Sequence, residues 1–167
     1  YGWFHIMFLL ILLFSILLIK FKYNNLSNKN IKKILLIYSI MCLSLEVYKQ
    51  INFSFNYDSI STWWSYQWYA FPFQFCSTPM YVALIVALTK NKKVENACYA
   101  FLATYGLIAG ISVMLYPSTV FIETIGINIQ TMVHHGSMVF IGFLLLINNK
   151  VNSNYKSLLS AFIVFTI

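Results

Sequence analysis

Between Gly2 and Ile19 the chain carries no aspartate, glutamate, lysine or arginine, and comparable apolar runs recur to its end. An uncharged stretch of about 18 residues or more is long enough for a membrane-spanning helix. Only helices and closed barrels satisfy their backbone polar groups in hydrocarbon, and these runs are too long and too continuous for barrel strands. The expected fold class is therefore all-α, a polytopic transmembrane helix bundle of about six spans. The expected spans are 2–20, 33–50, 68–89, 94–116, 128–147 and an incomplete 156–167. With 60% hydrophobic and 9% charged residues, nothing is left over for a soluble domain, so residues 1–167 read as one integral membrane domain.

The sequence begins at Tyr1, and the last apolar run stops at Ile167. From Lys156 that run rises only about 16 Å, against a hydrocarbon core of about 30 Å. The sequence is thus expected to be a piece cut from a longer chain at both ends. The first segment has no charged leader or small-residue cleavage site and reads as a span, not a signal peptide. His5, its one ionisable residue, is expected at the membrane interface.

All eleven basic residues are lysines, giving a formal charge of +7. They lie in the breaks between apolar runs, which excludes the single basic, aromatic-studded surface of a nucleic-acid binder. Lys20, Lys22, Lys29, Lys32 and Lys33 follow the first segment, Lys90, Lys92 and Lys93 the third, and Lys150 and Lys156 the fifth. After the second and fourth segments there is only Lys49. The positive-inside rule then makes the lysine-rich loops cytoplasmic in a multi-pass protein of the cell membrane. The aromatic stretch with Tyr57, Trp63, Trp64, Tyr66 and Trp68 faces outward as an interfacial belt.

Polar groups inside a span are costly and tend to mark function. The densest set lies between Trp68 and Met80, where Gln74, Cys76, Ser77 and Thr78 stand between Pro72 and Pro79. Read as helix, this stretch is expected to kink at Pro79, beside Cys76. Helical rise puts Cys76 about 12 Å from the outer end of its span, His134 and His135 about 9–10 Å, and Glu46 about 6 Å. A cysteine, two histidines and a carboxylate are thus expected in the outer half of the bilayer, with Glu123 in an outer loop.

A thiolate nucleophile beside an imidazole base is the minimal kit for covalent acyl transfer. Cys76 is the candidate nucleophile and His135 or His134 the base. Glu46 or Glu123 is placed to orient the ring, and Gln74 or Ser77 to donate to an oxyanion. Trp68 and Glu123 complete the expected substrate-binding set. Adjacent helical histidines diverge by about 100°, so one is expected to face the site and the other to pack. Cys42 and Cys98 read as small buried hydrophobes. The cysteine spacings contain no metal or redox motif, so neither a metal nor a cofactor is expected. Membrane lipids are the expected partners. Gly106-x-x-x-Gly110 allows close helix packing, within the chain or in a homo-oligomer.

Pro72-Phe73-Gln74-Phe75-Cys76-Ser77, the Tyr105-Gly106 helix and the His135-Gly136 span resemble the bacterial YwaF family of small membrane proteins. That family is similar to vertebrate transmembrane protein 164, a membrane acyltransferase acting on ether lysophospholipids through cysteine and histidine. The resemblance spans the second to sixth segments and implies Cys76 and His135 as the functional pair. Gln74 stands where the bacterial pattern has histidine, and Phe73 where the vertebrate cysteine follows the proline. A competing reading is a vitamin-binding membrane subunit of an importer, holding an aromatic ligand with Trp63, Trp64, Trp68 and Glu46. A non-catalytic membrane protein is the third.

Overall fold

A computed structural model describes residues 2–55, 63–152 and 154–166; Tyr57 lies outside these. Six helices follow one another: α1 (Gly2–Lys22), α2 (Asn28–Ser54), α3 (Thr78–Leu88), α4 (Lys92–Leu115), α5 (Ile125–Ile147) and α6 (Tyr155–Thr166). No strand forms among the described residues beyond an isolated bridge between Phe55 and Trp64. The protein is an all-α, multi-pass membrane protein. Helices α1, α2, α4 and α5 are long and apolar enough to cross a bilayer. Even α1, with 21 residues, rises about 32 Å.

Local signals set the helix starts. Ser27 caps α2 by accepting from the Asn30 N–H at 3.3 Å, and Asn91 caps α4 by accepting from Lys93 at 2.9 Å and Val94 at 3.4 Å. The third segment departs from expectation. Residues 68–77 are not the first half of a helix but a short 3₁₀ turn, Trp68–Ala70, followed by irregular turns; α3 begins only at Thr78. Pro79 sits in the first turn of α3, where its missing N–H costs nothing, so it opens the helix and kinks nothing. Cys76 therefore stands in a turn ahead of α3, and a depth reckoned by helical rise does not apply to it.

The reversals after α1, α3 and α5 bring their lysines to one end of the bundle. There the Glu95 carboxylate on α4, 2% exposed, binds Lys32 of α2 at 2.7 Å and Lys92 at 2.8 Å, and accepts from Asn28 at 3.0 Å. The Lys32 ammonium also donates to the Thr89 carbonyl behind α3 at 2.6 Å, and the Tyr99 hydroxyl donates to Asn28 at 3.1 Å. Asn148, at the end of α5, donates to the Tyr23 carbonyl at 3.0 Å and accepts from the Leu26 N–H at 2.6 Å, which closes the α1–α2 turn. These bonds gather the C-terminal ends of α1, α3 and α5 with the N-terminal ends of α2 and α4.

At the opposite end lies His5, in the first turns of α1. It is buried, and its Nε2 lies 2.6 Å from the Met114 carbonyl, one of the last-turn carbonyls of α4 that have no helical donor.

Helices α4 and α5 meet almost backbone to backbone. A Cβ on Gly110 would stand 2.9 Å from the His135 carbonyl oxygen and 2.9 Å from Val139 Cγ2; one on Gly142 would lie 2.7 Å from Leu107 Cβ. Gly106, within a π-helical bulge of α4 at Leu102–Gly106, faces Pro79, and a Cβ there would stand 3.6 Å from Pro79 Cγ. Both glycines of the Gly-x-x-x-Gly motif are thus buried against partners in the same chain. Gly110→Ala is expected to push the helices apart and cost about 1–3 kcal/mol, whereas Gly106→Ala meets only ordinary contacts. Thermal unfolding of the detergent-purified variants checks this: equal losses from both substitutions would show that the seam at Gly110 is not tight.

Candidate functional site

The non-helical stretch before α3 does not lie open. Irregular backbone inside a bilayer persists only where protein covers it or where it lines a cavity. Three interactions hold this stretch: Gln50 of α2 donates to the Ala70 carbonyl, His134 of α5 donates to the Cys76 carbonyl at 2.8 Å, and Tyr81 donates to the Pro72 carbonyl at 3.3 Å. Between this stretch, α2 and α5 lies a cavity of about 300 Å³. The stretch contributes Tyr69, Ala70, Gln74, Cys76 and Ser77; α2 contributes Glu46, Lys49 and Phe53; and α5 contributes Ile127, Gln130, Thr131, His134 and His135. Val120 and Ile122, from the connection after α4, close the wall.

The two imidazoles are held in opposite tautomers. A carbonyl oxygen can only accept, so the neutral His134 ring carries its proton on Nε2, toward Cys76, and leaves Nδ1 as a bare acceptor. That Nδ1 is buried and has no hydrogen-bond partner among the described residues. His135 donates from Nδ1 to the Thr131 carbonyl at 2.8 Å, one turn back on its own helix, which leaves Nε2 bare. The ring centroids are 5.2 Å apart. Ser137 supports the pair from behind: it donates to the His134 carbonyl at 2.8 Å and lies 3.7 Å from the Cys42 sulfur. Both histidines line the cavity, and each is also tied to a backbone carbonyl.

The Cys76 thiol is partly exposed and donates to Gln74 Oε1 at 3.8 Å. Gln74 in turn donates to the Tyr69 carbonyl at 2.6 Å. Ser77 is buried at the start of α3, yet its hydroxyl makes no capping bond. The site thus offers a thiol, two bare imidazole nitrogens, a hydroxyl and an amide around one space.

Of the residues expected in the site, Cys76, His134, His135, Glu46, Gln74 and Ser77 share this cavity. Glu123 and Trp68 do not. Glu123 is exposed in the α4–α5 connection, and Trp68 is 76% exposed, its ring packed edge-on to Tyr66 and not turned inward. Nor, among the described residues, does a carboxylate hydrogen-bond either imidazole. Glu46 is 4% exposed, and its Oε1 takes Lys49 at 2.8 Å and Gln50 at 2.8 Å, because those lie one helical turn along α2. Trp63 and Trp64 are exposed and stand outside the cavity wall.

Sequence reasoning missed Lys49, Gln130 and Thr131. Their signal was spacing: Glu46, Lys49 and Phe53 fall on one face of α2, and Gln130, Thr131 and His134 on one face of α5.

No curated protein and no solved structure matches the chain. The model of the TMEM164 family matches residues 1–167. The match supports the transmembrane-protein-164 side of the resemblance and lends none to the bacterial YwaF name. With its whole length covered and its helices apolar, the chain belongs to the TMEM164 family of membrane proteins.

Proposed function

We propose that the protein is a phospholipid acyltransferase that works through a thioester on Cys76. The observation that carries this reading is the enclosure of Cys76, Ser77, His134 and His135 in one cavity. Two polar faces and a bilayer-sized bundle around them suit an amphiphilic substrate. The tryptophans that would hold an aromatic vitamin stand outside the cavity.

In the first half-reaction His135 Nε2 takes the thiol proton, and Cys76 Sγ attacks the carbonyl carbon of an acyl ester. The C–O bond breaks, the imidazolium returns its proton to the departing lysolipid oxygen, and the acyl group stays on sulfur. In the second, Nε2 takes the proton of an acceptor hydroxyl, that oxygen attacks the thioester, and the C–S bond breaks to regenerate the thiol. We assign the base to His135 as the more open of the two rings, 7% exposed against 2% for His134. His134, bonded to the Cys76 backbone, acts as a positioning residue. Ser77 and Gln74 are the side chains at hand to donate to the oxyanion. On the positive-inside rule we place the lysine-bearing end in the cytoplasm and the cavity toward the outer face.

The test is incubation of the purified protein with a clickable fatty-acyl phospholipid, then neutral hydroxylamine and peptide mapping. A hydroxylamine-labile adduct on Cys76, weakened in His135→Ala, is expected. A folded protein that acquires no adduct would end the reading.

A further inference from the structure

The end of the bundle remote from the cavity carries every lysine except Lys49, and among the described residues Glu95 is the only acid there. Glu95 is already occupied by Lys32 and Lys92, and among the described residues no other ion pair forms at this end. Lys20, Lys22, Lys29, Lys33, Lys90 and Lys93 are exposed and have no carboxylate partner there. They come from the ends of four helices, α1, α2, α3 and α4, so they surround the bundle at the level where its spans emerge. The Lys20 and Lys22 ammonium groups each stand 5.8 Å over the neighbouring Phe21 and Tyr23 rings, the interfacial arrangement of amphipathic side chains.

Like charges held this close repel unless anions are shared among them, and orientation in a membrane needs only a bias of a few lysines. We infer that this end is a binding surface for anionic phospholipid headgroups of the leaflet it faces. The placement argues for lipid over a soluble acidic partner, because cations spread around the helix ends meet headgroups from the surrounding leaflet. The lysines are point charges without the planar fork of arginine, which suits a phosphodiester presented at any angle. The inference stands whichever reaction the cavity performs.

The experiment uses the whole purified chain in detergent, titrated with phosphatidylglycerol or with phosphatidylcholine of the same acyl chains. Lipid retention is read by native mass spectrometry and stability by thermal unfolding. Phosphatidylglycerol is expected to be retained more strongly and to raise the unfolding midpoint further, with both advantages fading as salt rises. Each neutralised lysine should weaken the preference about fivefold, and Lys20→Gln, Lys22→Gln, Lys29→Gln and Lys33→Gln together about a hundredfold or more. If that variant fails to fold, Lys90→Gln, Lys93→Gln and Lys156→Gln together should show the same direction. Equal responses to the two lipids, or a preference that survives both sets of substitutions, would overturn the inference. Stabilisation by soluble poly-glutamate but not by phosphatidylglycerol would also overturn it, in favour of an acidic protein partner.

Discussion

Cys76→Ala should reduce acyl transfer to background, a loss of about three orders of magnitude or more, in a protein that folds normally. Both parts follow from where the residue sits. The thiol is partly exposed to the cavity, and its one hydrogen bond among the described residues is the 3.8 Å approach to Gln74. Cys76 is held by its carbonyl, which receives the His134 N–H, and alanine keeps that carbonyl. The variant therefore removes a nucleophile without removing a tie. Cys98→Ala serves as the control, since that thiol is buried outside the cavity wall and should leave turnover near wild type. His135→Ala should slow transfer less than the loss of sulfur, because the thiol survives without its base. The measurement is single-turnover transfer of a labelled acyl chain at matched folded protein. Wild-type turnover in Cys76→Ala would remove the covalent mechanism altogether.

Glu95→Ala should cause the largest loss of stability, about 3 kcal/mol, with transfer by the remaining folded protein unchanged. The carboxylate lies in the buried contact between α2 and α4 and neutralises two ammonium groups while accepting from Asn28. Lys92 is largely exposed and can turn to water, but Lys32 also holds the Thr89 carbonyl and is less free to leave. Its charge is then left with a carbonyl alone, and Asn28 and Tyr99 lose their anchor. Glu95→Gln keeps the shape and loses the charge, so it should fall between. Unfolding midpoints in detergent, read alongside activity per folded molecule, separate this from a catalytic effect. A Glu95→Ala protein as stable as wild type would mean that the buried ion pairs do no more than offset their own desolvation.

The helices were legible because length and hydropathy alone select a span, and the lysines were legible because alternation of the chain collects them. The Trp68–Ser77 turn was not: its aromatic residues are as hydrophobic as a helix, and hydropathy does not report backbone shape. Pro79 did carry the information, since proline favours a first turn as much as it disrupts an interior one. His134, His135 and Glu46 could be brought together from sequence by their common distance from one end, whereas Cys76, Gln74 and Ser77 join them through a turn whose depth helical rise does not give. Their pairings could not, because Glu46 binding Lys49 and His134 binding a backbone carbonyl depend on side-chain direction. His5 and Glu95 escaped for a related reason. Each lies beside a segment boundary and reads as solvated until a second helix end is known to lie against it.

The bond between Leu26 and Asn148 joins residues 122 positions apart, and it closes the turn between the first two helices. Loop closure over such a separation must precede the reward of the contact. During synthesis, at about 5–20 residues per second, the first hairpin must therefore wait many seconds for the asparagine that locks it. Until then α1 lacks both its packing partner, which is α5, and the bond that fixes its turn, and the fifth helix arrives as the latch on work begun by the first.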